Sequence, residues 1–229
     1  MNSDKRISRN AGILILTGML AGIISVVPSV ESVDYLKESF PNRNQVLIGA
    51  IFQFLLVPIY IGFALVLYKP LKTHKENSAV GFVGFRLIAG AFQIFGVILL
   101  PLFIYLSKTY LSSIDETLLY YENLGKMLKI IRDLTNHFGV MAATGLGNLL
   151  LYYILFSGKF IPKWLSIWGI FGNVLIIFAS FLVLFQLVDV ISTSYIAITM
   201  PLILQELVFA IWLITKGLSL EYINRSKTN

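Results

Sequence analysis

The chain has 229 residues, of which 57% are hydrophobic and only 13% are charged, and its formal net charge is +6. Soluble domains carry about 25% charged residues; a chain with a mean hydropathy of +0.80 cannot cover a water-facing surface and belongs to the membrane class. Cysteine is absent, which excludes disulfides, thiolate catalysis and zinc–thiolate sites. The positive charge is better explained by basic loops at one membrane face than by nucleic-acid binding, for which no soluble basic module is present.

Six apolar stretches follow one another along the chain. Roughly 20 apolar residues of helix cross the hydrocarbon core of a bilayer, and each stretch reaches about that length. We therefore predict an all-α, six-span transmembrane helical bundle that forms a single integral membrane domain over residues 1–229. The predicted spans lie at about residues 10–28, 45–68, 79–106, 136–156, 164–187 and 195–216.

The first stretch follows three basic residues, Lys5, Arg6 and Arg9, an arrangement that is also typical of a signal peptide. Its apolar part is longer than a usual signal-peptide core, and five similar stretches follow it. We therefore interpret it as an uncleaved first span.

The third stretch, residues 78–106, contains a single charged residue, Arg86. An arginine at this depth needs an anion, a carbonyl group, water or a lipid headgroup as its partner. The only carboxylate in the other long apolar stretches belongs to Glu206, in the sixth span. We predict that the bundle closes around this pair.

The longest polar interval, residues 107–135, separates the third and fourth spans. Apolar residues recur in it at intervals of three or four, which predicts an amphipathic helix: Leu118, Tyr121, Leu124, Leu128 and Ile131. The pattern is compatible with a helix in the headgroup layer and with a helix that caps the bundle.

The distribution of basic residues predicts the orientation. Six spans place both termini on one side, and 11 of the 18 Lys and Arg residues lie on that side, against six on the other and Arg86 within a span. Cytoplasmic loops carry the excess of Lys and Arg. We therefore predict cytoplasmic termini, an extracytoplasmic amphipathic helix and residence in the cytoplasmic (cell) membrane.

Polar side chains of four spans lie at similar depth in the half of the bundle nearer the termini. Arg86 and Glu206 lie roughly 10 and 16 Å from the inner boundary. The candidate binding residues of this layer are Arg86, Glu206, Asn148, Asn173, Gln93 and Gln205. Three interpretations stay open: an ion pair that only locks the third and sixth spans together, an arginine that reaches the headgroups beside a protonated Glu206, and a site for a ligand headgroup or for protons.

Other chemistry finds little support in the sequence. Its two histidines, His74 and His137, fall at opposite membrane faces and cannot jointly hold a haem or a metal ion. The metalloprotease, nucleophile-elbow and P-loop patterns are absent. We predict no cofactor, no metal site and no catalytic residue. His137 is a weak candidate for a base, because no nucleophile is evident at its depth.

Three segments together resemble a bacterial membrane family catalogued as domain of unknown function 4386. They are the GFRLI segment from Gly84 to Ile88, the turn before the fifth span, and the end of the sixth span. The matching residues of the last two are Gly158, Pro162, Trp164, Pro201, Glu206, Trp212, Leu213, Lys216 and Gly217. The resemblance extends from about Arg9 to Leu218. It implies a six-helix integral membrane protein and brings no established activity.

The leading functional hypothesis is a small transporter-like bundle, or one that binds a lipid or a solute, with a buried Arg86–Glu206 site reached from the cytoplasmic half. One alternative is a structural or accessory subunit in which the pair only joins helices. A further alternative is an intramembrane enzyme acting on a lipid, with Glu206 or His137 as its acid–base group. The expected partners are membrane lipids and either a small solute or another protein.

Overall fold

The structure, a computed structural model, describes residues 3–219 and contains helices but no strands within that range. The predicted all-helical class is thereby confirmed. In chain order the helices are α1 (Ser3–Ile24), α2 (Pro28–Glu31), α3 (Tyr35–Glu38), α4 (Arg43–Leu111), α5 (Asp115–Asp133), a π-helical segment (Leu134–Val140), α6 (Met141–Ser157), α7 (Lys163–Leu184) and α8 (Thr193–Thr215).

Helix α4 is 69 residues long and contains one residue with non-helical backbone angles, Lys75, at φ −146° and ψ 85°. A straight helix of that length would measure about 100 Å, roughly three times the hydrocarbon thickness of a bilayer. The chain instead folds back at Lys75. The contact between Phe63 and Phe82, on either side of this residue, shows the fold-back: their rings meet edge to face with centroids 5.9 Å apart. We call residues 43–74 the first arm and residues 76–111 the second arm.

Five helices of the described chain are long and apolar enough to cross a membrane, with α4 counted once. Neighbouring helices approach each other at glycines, where the absent side chain lets backbones come close. The helices form a closed ring in the order α1, first arm, second arm, α6, α7 and α8, which returns to α1. The pairs in contact are Gly18 with Tyr60, Gly147 with Phe85, Gly169 with Tyr152, Gly172 with Leu202, and Gly12 with Ala210.

One end of the ring, called here the basic end, holds the start of α1, the turn at Lys75, the α6–α7 connection and the end of α8. The backbone N–H of Leu218 donates to Ser8 Oγ at 3.0 Å, and that of Ser219 donates to the carbonyl of Phe160 at 2.8 Å. The largest apolar core lies just inside this end and closes it with fully buried side chains.

The opposite end, called here the capped end, is covered by α2, α3 and α5. Tyr121, Leu124 and Leu128 of α5 pack against a buried cluster built by the α1–α2 connection, α2, α3 and both arms of α4. The predicted amphipathic helix is therefore present and caps the bundle. The short helices α2 and α3 were not predicted, because four residues are too few for an apolar period to show.

Candidate functional site

A cavity of about 200 Å³ lies at the centre of the ring, between both arms of α4, the π-helical segment, α6, α7 and α8. Most of its lining is apolar. The polar lining residues are Tyr60, Arg86, Gln93, Thr144 and Glu206. A small number of polar groups in a mostly apolar cavity is the usual composition of a ligand site.

Arg86 is 5% exposed and is held by a helix neighbour and by aromatic rings. Its Nη2 donates to Asn148 Oδ1 at 2.6 Å. The guanidinium carbon lies 5.2 Å from the ring centroid of Tyr60, 5.4 Å from that of Phe63 and 5.8 Å from that of Phe82, within the range of cation–π attraction. Its Nε is buried without a hydrogen-bond partner. Part of the donor capacity of Arg86 is therefore unused.

Glu206 lines the same cavity as Arg86 and, with Asn148, a small void next to it. Within residues 3–219 no ion pair of 4.0 Å or less joins Arg86 to Glu206, so the predicted direct pair is not formed. The order of the helices around the ring explains why Arg86 and Glu206 do not pair. Asn148 lies on α6, which packs directly on the second arm, whereas α8 stands across the cavity.

The other predicted site residues divide into two groups. Gln93 lines the central cavity. Asn173 and Gln205 do not line it and instead bond to the protein: Asn173 Nδ2 donates to the carbonyl of Gly169 at 2.7 Å. Gln205 Oε1 accepts from the hydroxyl of Tyr152 at 2.9 Å, and its Nε2 donates to the carbonyl of Leu165 at 3.4 Å. Gln205 thus joins α6, α7 and α8.

Two polar lining residues, Tyr60 and Thr144, were missed in the sequence. Hydroxyl groups in the apolar stretches stand out less than the charged and amide side chains from which the site was predicted. The available signal was a hydroxyl in the middle of a predicted span, at a depth near that of Arg86. That signal is weak, because tyrosine and threonine are common in membrane helices.

A second cavity, of about 340 Å³, lies at the capped end between α2, α5 and the α7–α8 connection. Its charged lining residues are Glu31, Lys129, Asp133 and Asp189. Burial, and then the charge of Glu31, raise the pKa of the Asp133 carboxyl to about 6. Among the described residues, no group of three or more His, Cys, Asp or Glu side chains is arranged to hold a metal ion.

His137, the weak candidate for a base, lies in the π-helical segment. Its Nδ1 is 2.8 Å from the hydroxyl of Tyr195, which also contacts Met141 Sδ at 2.8 Å. These contacts tie the π-helical segment to the start of α8 and give His137 the role of a polar anchor.

A family described as a domain of unknown function (DUF4386) matches residues 10–217. The chain belongs to this family. The match covers both arms of α4, the capped end and the central cavity of this DUF4386 chain. No curated protein matches the chain, and no solved structure matches it. The family is one of unknown function, so the functional proposal depends on the geometry of the site.

Proposed function

We propose that this DUF4386 protein crosses the cell membrane six times, with both termini in the cytoplasm and α5 outside. Each arm of α4 exceeds the roughly 20 residues that a crossing needs, and the fold-back at Lys75 supplies the turn between two crossings. The excess of Lys and Arg at the basic end supports the orientation.

The central cavity, in this proposal, binds a small amphipathic ligand whose anionic group pairs with Arg86. The observation that carries the proposal is the buried Nε of Arg86, which lacks a partner and belongs to a side chain that lines a mostly apolar cavity. A buried donor without a partner costs free energy. An anionic group bound there offsets that cost, while the apolar lining receives the rest of the ligand.

Glu206 lines the cavity with Arg86 but does not pair with it directly. The absence of an ion pair of 4.0 Å or less between them leaves a gap across the cavity. An incoming anion and an ionised Glu206 would repel each other, so ligand binding favours the protonated carboxyl. Binding of an anion should therefore take up a proton and weaken as the pH rises.

The side of the bundle is the best-supported entry route. Beyond Arg86 toward the basic end, side chains such as Leu67, Leu155 and Phe160 are fully buried and fill the ring. Ile203 both lines the cavity and is 48% exposed on the outer surface. Entry beside α8 suits an amphipathic ligand that partitions into the bilayer, in place of the cytoplasmic access expected from the sequence.

Direct binding of octanoate to purified protein in detergent tests this function. Scintillation proximity would measure radiolabelled octanoate, with octylamine and octanol as competitors of the same chain length. We expect octanoate to bind, octanol to compete poorly, and Arg86→Gln to weaken binding at least about tenfold, as for the loss of a charge-assisted hydrogen bond. Glu206→Gln should tighten binding and abolish its pH dependence.

The matched control is Ser180→Ala. Ser180 is buried, like Arg86, but it does not line the cavity. Its hydroxyl donates within its own helix, to the carbonyl of Ile176 at 2.8 Å. Equal octanoate binding by the wild type and Arg86→Gln would refute the proposed site, as would equally strong competition by octanol.

A structural role for the same polar groups is the second candidate. The bond from Arg86 to Asn148 joins α4 to α6, as helix-joining groups in membranes do. A protein that loses folding yield but no ligand binding in Arg86→Gln and Glu206→Gln would favour this role, and with it an accessory subunit.

A further inference from the structure

A groove of about 290 Å³ lies at the basic end, between the start of α1 and the end of α8. Three cationic side chains line it, those of Lys5, Arg9 and Lys216. The rest of its lining comes from the last turn of α8 and the residues that follow, including Leu213 and Ile214. The groove is separate from the central cavity and shares no lining residue with it.

The local backbone holds the three cations around the groove. Lys5 and Arg9 are four residues apart on α1 and so share one face of that helix. After α8 the chain turns at Gly217, whose φ of +76° is one that glycine adopts without strain. The turn brings the backbone N–H of Leu218 to the hydroxyl of Ser8 at 3.0 Å. Since Ser8 lies between Lys5 and Arg9, this bond fixes Lys216 opposite them.

The cations are exposed and are not paired with acidic side chains of residues 5–219. Lys5, Arg9 and Lys216 are all exposed, and no Asp or Glu among residues 5–219 lies within 4.0 Å of their charged groups. Below them the groove floor is apolar, formed by Leu213 and Ile214. Cations above an apolar floor match a molecule with an anionic head and a hydrocarbon tail.

We propose that this groove binds the phosphate headgroup of an anionic phospholipid. The apolar stretches of α1 and α8 end at the groove, which places it at the level of the headgroups. Basic pockets between membrane helices at this level recognise lipid phosphate, and the cations act together. A free phosphate would satisfy the cations equally well but has no use for the apolar floor, so the acyl chain distinguishes the two occupants.

Tryptophan fluorescence offers a local reporter, because the chain contains three tryptophans. Trp212 lies one helical turn before Lys216, whose backbone N–H donates to its carbonyl at 2.8 Å, so both residues are on the same side of α8. Trp164→Phe with Trp168→Phe leaves Trp212 as the sole tryptophan. Full-length protein would be placed in phosphatidylcholine nanodiscs that contain a minor fraction of brominated phosphatidylglycerol or, in parallel, brominated phosphatidylcholine.

We expect brominated phosphatidylglycerol to quench Trp212 at a lower mole fraction than brominated phosphatidylcholine does. Each cation should contribute about fivefold to this preference. The triple variant Lys5→Gln, Arg9→Gln, Lys216→Gln should abolish it, and added KCl should weaken it through screening. The matched control Lys69→Gln, Lys72→Gln, Lys159→Gln removes the same charge from the same end, outside the groove, and should keep most of the preference.

Four results would overturn the assignment. They are equal quenching by the two lipids in the otherwise native protein, an unchanged preference in the groove variant, an equal loss in the control variant, and displacement by millimolar inorganic phosphate at constant ionic strength. The last result would assign the groove to free phosphate. Because the substituted side chains are exposed, the size-exclusion profile of both variants should match that of the native protein.

Discussion

Two arginines of this chain are buried to nearly the same degree, yet they are held differently. Arg86 is 5% exposed and Arg132 is 4% exposed. Arg132, at the capped end, bonds directly to Glu31, with Nη1 2.5 Å from Oε1. Arg86, at the centre of the ring, bonds to the neutral amide of Asn148, while the nearby carboxylate of Glu206 stays across a cavity.

The difference distinguishes a structural ion pair from the proposed binding site. At the capped end the charges cancel through direct contact, and Lys129 Nζ adds a bond to the carbonyl of Glu31 at 3.1 Å, so α5 is tied to α2. The Nε of each arginine is buried without a partner, so the difference lies in the carboxylate: at the centre, Glu206 lines a cavity with Arg86 and forms no ion pair of 4.0 Å or less with it. Direct pairing favours stability of one arrangement, whereas separated charges beside a cavity favour exchange of a bound group.

The largest expected effect is the loss of the capped-end pair. Arg132→Met leaves Glu31 partly buried without its partner and should lower the free energy of unfolding by about 3 kcal/mol. Unfolding would be followed by circular dichroism in detergent during a titration with SDS. Arg43→Met, at an exposed arginine, is the control. Equal stability of these two variants would contradict a structural role for the pair.

The bond between Arg86 and Asn148 should contribute less. Asn148→Leu removes the acceptor and should cost about 2 kcal/mol, as for a hydrogen bond to a charged group. A double-mutant cycle with Arg86→Met isolates the coupling of the two residues. A second cycle would pair Arg86→Met with Glu206→Gln. Coupling in this second cycle alone would mean that the carboxylate holds the guanidinium, and the contrast with Arg132 would disappear.

The helical class and the position of the arginine in the bundle could be predicted because both follow from solvent physics. Long apolar stretches cannot be soluble, and a lone Arg86 within one of them must face the interior. The partner could not be predicted. Charge favours Glu206, but packing decides which side chain is within reach, and Asn148 lies on the helix that contacts the second arm.

At the capped end, too, the helix could be predicted from the sequence but the partner of its arginine could not. The apolar period of α5 was sufficient to predict a helix, since 19 residues give five turns of pattern. Nothing in that period says that Arg132 meets Glu31, which is 101 residues away in the chain. Such long-range pairs depend on how the ends of α1 and α4 place α2 against α5, and a single sequence carries no signal for it.

Asp133 offers a smaller, pH-dependent test at the capped end. Burial, and then the charge of Glu31, raise the pKa of its carboxyl from 3.8 to about 6. A raised pKa means that the protonated form stabilises the fold, so this contribution is complete below pH 3.8 and is lost as the pH rises through about 6. Because Asp133 is partly exposed, Asp133→Asn should stabilise the protein by only about 1 kcal/mol at pH 8.

The measurement for Asp133 is the SDS titration repeated between pH 4 and pH 8, with the exposed Glu76→Gln as control. The native protein and the control should lose stability across this range relative to Asp133→Asn. Parallel pH curves for all three proteins would show that Asp133 keeps an ordinary carboxyl pKa and that the capped end is more hydrated than its burial indicates.

The smallest expected effect comes from Glu206→Gln, and it bears most directly on the contrast between the two arginines. Glu31→Gln removes a direct ion pair and should destabilise the protein nearly as much as Arg132→Met does. Glu206→Gln removes a charge that forms no ion pair of 4.0 Å or less in the described chain. The free energy of unfolding should therefore change by less than about 0.5 kcal/mol. The two substitutions are chemically identical and can be compared in the same SDS titration. If they proved equally costly, Glu206 would neutralise Arg86 as part of the scaffold, and the central cavity would be a gap in a structural polar layer that locks α4 to α8.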